Sequence, residues 1–109
     1  MAEAPIEARL RPEAERDLVQ AARHYAEAGG RELGERLFDA ALDALEAPCQ
    51  HPHIGSMRLG RLCGISGLRS WRVKGFPLQW FYFVRSDHLD VVRLLADRQD
   101  IAAILTDAP

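Results

Sequence analysis

Residues 78–96 read LQWFYFVRSDHLDVVRLLA, two apolar runs on either side of a short polar break. The first run, Leu78–Val84, is apolar on nearly both faces, the pattern of a strand covered on two sides and therefore central in its sheet. Ser86-Asp87-His88 supplies a tight turn. Leu89–Ala96 returns as the next strand, β-branched at Val91 and Val92. Upstream, Leu68–Val73 sets Arg69, Trp71 and Val73 against Leu68, Ser70 and Arg72, the period-two alternation of a third strand. Trp80 and Tyr82 fall on one face of the central strand, and Phe81 and Phe83 on the other. One pair is therefore expected to face away from any helical layer.

The first half of the chain has the helical period. Pro12 follows Arg11 as a helix start, where the missing N–H is not needed. Glu13, Glu15 and Asp17 favour the positive end of the helix dipole. Ala14, Leu18, Ala21, Ala22 and Tyr25 make one apolar stripe, and Gly29-Gly30 stops it. A second helix runs from about Arg31, with Leu33, Leu37, Phe38, Ala41, Leu42 and Leu45 as its apolar face and Pro48 as its end. The short link makes the two helices an antiparallel hairpin. Glu7–Leu10 ahead of them suits an edge strand. After Ala96, Asp97 is the candidate cap of a short helix carrying Ile101, Ile104 and Leu105. The order β-α-α-β-β-β plus a short C-terminal helix predicts an α+β fold, a helical hairpin on a small curled, mainly antiparallel sheet.

Between these halves, residues 48–67 lose periodicity and gather Pro48, Pro52, Gly55, Gly60, Gly64 and Gly67. A long mobile loop is expected there. The 109 residues fit a single domain, 1–109. No apolar run approaches the roughly 18 residues of a spanning helix. Residues 1–7 hold acids and a proline and no signal-like apolar core. Cys49 and Cys63 are too few for a disulfide framework and read as free thiols in a reducing cytoplasm. Residues 1–55 hold 6 basic and 11 acidic side chains, and residues 56–109 hold 8 basic and 5 acidic. The split predicts a basic side carrying Arg58, Arg61, Arg69, Arg72, Lys74, Arg85, Arg93 and Arg98, suited to an acidic protein or nucleic acid.

Four stretches together resemble the ParE branch of the ParE/RelE toxin superfamily, known from plasmid stabilisation systems. They are RLRPEAERDLVQAARHYAEAGG, the helix end EAPCQHPHIG with its His-Pro, gap and Gly, the strand pair GLRSWRVKGFPLQWFYFV, and the closing VVRLLADRQDIAAIL. The resemblance spans about residues 9–105 and lies in order and spacing. It implies the toxin of a type II toxin–antitoxin pair, neutralised by a ParD-like antitoxin. Its implied target is DNA gyrase, inhibited without chemistry of the toxin's own. The related RelE branch shares the fold and cleaves mRNA on the ribosome. Two departures lie near the surface where relatives act: Ala96-Asp97 ahead of Arg98-Gln99 where an arginine pair is usual, and Pro77 directly before the central strand.

The two branches need different residues. Metal-free RNA cleavage requires proton transfer and charge stabilisation at the phosphate. Arg72, Arg85 and Arg93 supply charge for that alternative, but arginine is a poor acid or base. No tyrosine follows Tyr82 and no histidine follows His88. Tyr82 and the earlier histidines remain as proton donors. The gyrase reading assigns no catalytic residue and places the target surface at Arg72, Lys74, Arg93 and Arg98. No cofactor motif is found, and His51, His53, Cys49 and Cys63 match no zinc spacing. Three partners are expected: a ParD-like antitoxin docking on apolar sheet surface left open by two helices, gyrase as target, and a second copy as the alternative cover, giving a homodimer or a toxin–antitoxin hetero-oligomer. An inactive binding module of the same fold is the third reading.

Overall fold

The computed structural model describes residues 4–107. Strands β1 (Glu7–Leu10), β2 (Arg69–Arg72), β3 (Leu78–Val84) and β4 (His88–Ala96) form one sheet in the order β1-β4-β3-β2. The β2–β3 and β3–β4 pairs are antiparallel, and β1 runs parallel to β4. A register shift between Phe81 and Tyr82 marks a bulge in the β3–β4 ladder, which bends the sheet. The α+β architecture is as the sequence predicts, with the apolar run Leu78–Val84 inside the sheet. Among the described residues no helix is long and apolar enough to cross a membrane.

Helices α1 (Pro12–Gly29) and α2 (Arg31–Ala44) form the hairpin over one face. The two helices come close at Gly34. A Cβ there would stand 2.6 Å from the Ala22 carbonyl oxygen and 2.8 Å from the Ala26 Cβ. Only a bare Cα allows the two backbones so near. The second helix ends earlier than expected. Pro48 has no N–H to return to the Ala44 carbonyl, Leu45 N–H turns to Leu42 O instead (3.1 Å), and the chain restarts as α3 (Glu46–Gln50) with Pro48 inside it. Phe38 and Leu42, expected on the inner stripe, are 38% and 42% exposed on the outside of the hairpin.

The break at Leu45 leaves the Ala41 carbonyl without its helical donor, and the buried indole of Trp80 fills the vacancy (Nε1 to Ala41 O, 2.8 Å). Trp80 and Tyr82 lie under the hairpin with Ala14, Leu18, Leu37, Ala41, Leu89, Val91 and Leu94. The opposite face is covered too. Phe81, Val92, Leu95 and Leu68 pack beneath α5 (Ile101–Thr106) through Ile101, Ile104 and Leu105, and beneath α4 (Arg58–Leu62) through Leu59. The expectation of a bare apolar sheet face is thus corrected. So is the cap of α5: Asp100, not Asp97, accepts the Ala103 N–H (3.1 Å), because Asp97 is held elsewhere by Arg72.

Candidate functional site

Residues 51–57 hold the key to the far face of the sheet. They were expected to be mobile, yet they are tied down. The phenol of Tyr82, fully buried in β3, donates to Pro52 O (2.8 Å) and accepts the Gly55 N–H (3.0 Å). The Arg69 guanidinium donates to His53 O (2.9 Å) and Gly55 O (2.8 Å). Ser56 and Ser70 then exchange backbone hydrogen bonds in both directions (2.9 Å each). A Cβ on Gly55 would fall 2.5 Å from the Tyr82 hydroxyl. The His-Pro-gap-Gly spacing is therefore the imprint of one tyrosine hydroxyl on the loop that crosses it. Burial pushes the Tyr82 phenol above its ordinary pKa. With both hydrogen-bonding roles taken and no exposed surface, it has no route to a substrate.

The pinned loop and α4 form one wall of a groove of about 720 Å³ at the β2 edge. Ser70, Arg72 and Gln79 line the sheet side. Ile54, Arg58 and Leu59 line the loop side, and Asp97 and Ile101 close the far end. Arg72 and Gln79 are register partners, so both project from the same face. The Arg72 guanidinium takes Asp97 through two parallel bonds, Nη1 to Oδ1 at 3.1 Å and Nη2 to Oδ2 at 2.5 Å. Gln79 adds Nε2 to Oδ1 at 3.3 Å. These contacts hold the Asp97 carboxyl below its ordinary pKa, chiefly through Arg72.

The other two arginines of the phosphate-cleaving alternative are also bound to carboxylates. Arg93 meets Asp17 of α1 (2.7 and 2.9 Å). The reason is at the sheet edge. β1 stops at Leu10, opposite Val91, and beyond it the Leu94 N–H has no strand partner. Asp17 accepts that N–H (3.0 Å) and draws Arg93 with it. Arg85 meets Asp90 (2.8 Å) and lies over the Phe83 ring, 4.9 Å from its centroid. Asp90 also receives Arg11 (2.8 and 2.9 Å), and the two guanidinium groups, Arg11 first, lower its pKa to about 2.

Nor are the three arginines together. Arg72 stands opposite Gln79, at the start of β3, while Arg85 follows Val84 at its end. Arg85 is six strand steps from Gln79, about 20 Å. Arg93 belongs to the opposite edge of the sheet, against β1 and α1. What does gather is the end of the sheet where β2 finishes and β3 begins. Arg72, Lys74 and Arg98 all lie there, since Leu78 pairs with Ala96. Among the described residues Lys74 and Arg98 form no salt bridge. Arg98 Nη2 rests 3.5 Å from His24 Nε2 of α1.

Arg58 and Gln79 in the groove, and His24 beside Arg98, are additions that no motif announces. Of these only Arg58 had a sequence signal, the excess of cations after residue 55. Cys49 and Cys63 are free thiols, and burial raises the pKa of Cys49. Among the described residues no three His, Cys, Asp or Glu side chains come together as metal ligands.

Comparisons with known proteins bear on this arrangement as a whole. The model of a family described as "ParE toxin of type II toxin-antitoxin system, parDE" matches residues 8–101. No curated protein matches the chain significantly. Among solved structures, a chain from the "Chromosomal ParDE TA system from P. aeruginosa" superposes with a TM-score of 0.72 over 84% of this chain and 95% of that one, at 15% identity. At that identity the superposition speaks to the fold.

Proposed function

The chain belongs to the ParE toxin family of type II toxin–antitoxin systems, and from there we propose that it acts by binding DNA gyrase and blocking its cycle, with no chemistry of its own, until a ParD-like antitoxin covers it. The observation that carries the reading is the state of the arginines. Arg72, Arg85 and Arg93 are each neutralised by a carboxylate, at 2.5–2.8 Å, and stand at different corners of the sheet. A clamp on one phosphate needs convergent, unpaired donors aimed at the charge that develops. Tyr82 is sealed under Gly55 and Pro52. A binding surface makes no such demand, and the cationic end at Lys74 and Arg98 with the groove beside Arg72 offers one to an acidic partner.

The test is a supercoiling assay with purified toxin and gyrase. Inhibition that rises with toxin and is relieved by the co-expressed antitoxin is expected, and a Lys74→Glu/Arg98→Glu double variant should lose most of it. Unimpaired gyrase at large toxin excess overturns the proposal. Codon-specific mRNA cuts in primer extension would replace it with the ribonuclease reading.

A further inference from the structure

A second concavity, of about 570 Å³, lies on the other side of the Asp97–Arg98 corner, between α1 and the β4–α5 connection. Ala21, Ala28, Pro77, Leu78 and Leu94 supply its apolar lining. Tyr25, edge to face with Phe76 at 5.2 Å, lines one side. Its polar content is asymmetric. Both acids that border it are engaged, Asp17 by Arg93 and the Leu94 N–H, Asp97 by Arg72 and Gln79. The basic groups are not. Among the described residues the Arg98 guanidinium hydrogen-bonds only to the His24 ring, at 3.5 Å, a contact that uses one N–H of five.

The walls are set before any partner arrives. Asp97 N–H bonds Pro77 O (3.0 Å), Gln99 N–H bonds Ala96 O (3.0 Å), and Gln99 Oε1 accepts the Ala96 N–H (2.7 Å). An apolar trough with one unspent guanidinium beside an imidazole fits an amphipathic segment: a carboxylate for Arg98 and aliphatic neighbours for the apolar lining. A chain that orders on binding can lay such a segment into the trough.

We infer that this cleft receives a glutamate or aspartate carried on an apolar segment of the antitoxin, so that neutralisation occupies the Arg98 guanidinium that the target would otherwise meet. The inference rests on the antitoxin-controlled, Arg98-dependent toxin proposed above.

The experiment uses the full-length, 15N-labelled protein and two probes, the peptide acetyl-Leu-Glu-Leu-amide and inorganic phosphate. The peptide should shift the His24 ring and Arg98 Nε resonances saturably. Arg98→Met should weaken it about tenfold or more, the scale of a lost charge-assisted bond. Phosphate, which has the charge and no aliphatic arms, should bind at least about tenfold more weakly than the peptide. Peptide affinity unchanged in Arg98→Met, or phosphate binding as well as peptide, overturns the cleft. Should Arg98→Met lose its fold, Arg98→Lys asks the same question: it keeps the charge without the fork, and wild-type affinity there also overturns it. If the peptide needs Arg98 but the co-expressed antitoxin binds Arg98→Met as tightly as wild type, the cleft survives and its assignment to the antitoxin falls. Failure of gyrase inhibition in the separate supercoiling assay leaves these readouts untouched.

Discussion

The two faces of the sheet are covered in different ways. One lies under α1 and α2, long helices that bury most of the core around Trp80 and Tyr82. The other lies under α4 and α5, of 5 and 6 residues, which bury only Leu68, Phe81, Val92 and Leu95 and leave Ile101, Ile104 and Leu105 half exposed. The difference separates two duties. The hairpin side supplies stability, and the thinly covered side supplies the groove at the β2 edge. A small domain has one modest core to spend on folding, and this one concentrates it on a single face.

The largest test of that contrast is Trp80→Ala. It removes a fully buried ring together with the donor to Ala41 O, and should cost about 3–5 kcal/mol, visible as a large drop in Tm or loss of folding. A loss under 1 kcal/mol would mean that the hairpin is not the main source of stability. Ending the chain after Asp100 strips the other face instead. Three half-buried aliphatic side chains should cost about 2–3 kcal/mol together, while near-ultraviolet circular dichroism from Trp80 persists and a hydrophobic dye gains access to Phe81. Complete unfolding on this truncation would break the contrast.

Tyr82→Phe sharpens the contrast at the point where the two faces meet. It leaves the buried ring in place and removes both hydroxyl contacts of the Pro52–Gly55 loop. About 1–2 kcal/mol should be lost, with faster amide exchange confined to residues 51–57. The smallest effect is acid sensitivity at the Arg11–Asp90–Arg85 cluster, at the other end of the sheet from the groove. Asp90 has its pKa depressed from 3.8 to about 2. Its contribution is therefore complete above pH 4 and disappears as the pH falls from about 4 to 2. Arg11 and Arg85 are nearly half exposed, so solvent screening limits the term to about 1 kcal/mol. Asp90→Asn should flatten that part of the stability profile.

Much of the fold was legible because its signals are local. The alternation of Leu68–Val73, the doubly apolar Leu78–Val84 and the stripe from Ala14 to Tyr25 each carry their own period. What stayed hidden depends on distant pairs. The loop at 51–57 has no periodicity, and its order comes from Tyr82 and Arg69, 14 to 30 positions away. The basic excess was legible, but its partial cancellation was not: Arg93 finds Asp17 at a separation of 76 residues and Arg72 finds Asp97 at 25. Asp97 reads as a helix cap until Arg72 is placed opposite it. Of the candidate target residues, Arg72, Lys74 and Arg98 share one end of the sheet, and Arg93 is drawn to the opposite edge by the unpaired Leu94 N–H.

The parallel pairing of β1 with β4 has a consequence for how the protein comes into being. Glu7 waits for His88, and Leu10 for Val91, so the first strand made can pair only with the last. A nascent chain can form the hairpin early, but the sheet cannot close until β4 has left the ribosome. Contacts of such long sequence separation are slow to form, because the loop must close before the pairing rewards it. Each newly made molecule therefore spends an interval without its finished β4 edge, during which the Asp17–Arg93 link and the corner at Asp97 and Arg98 do not yet exist.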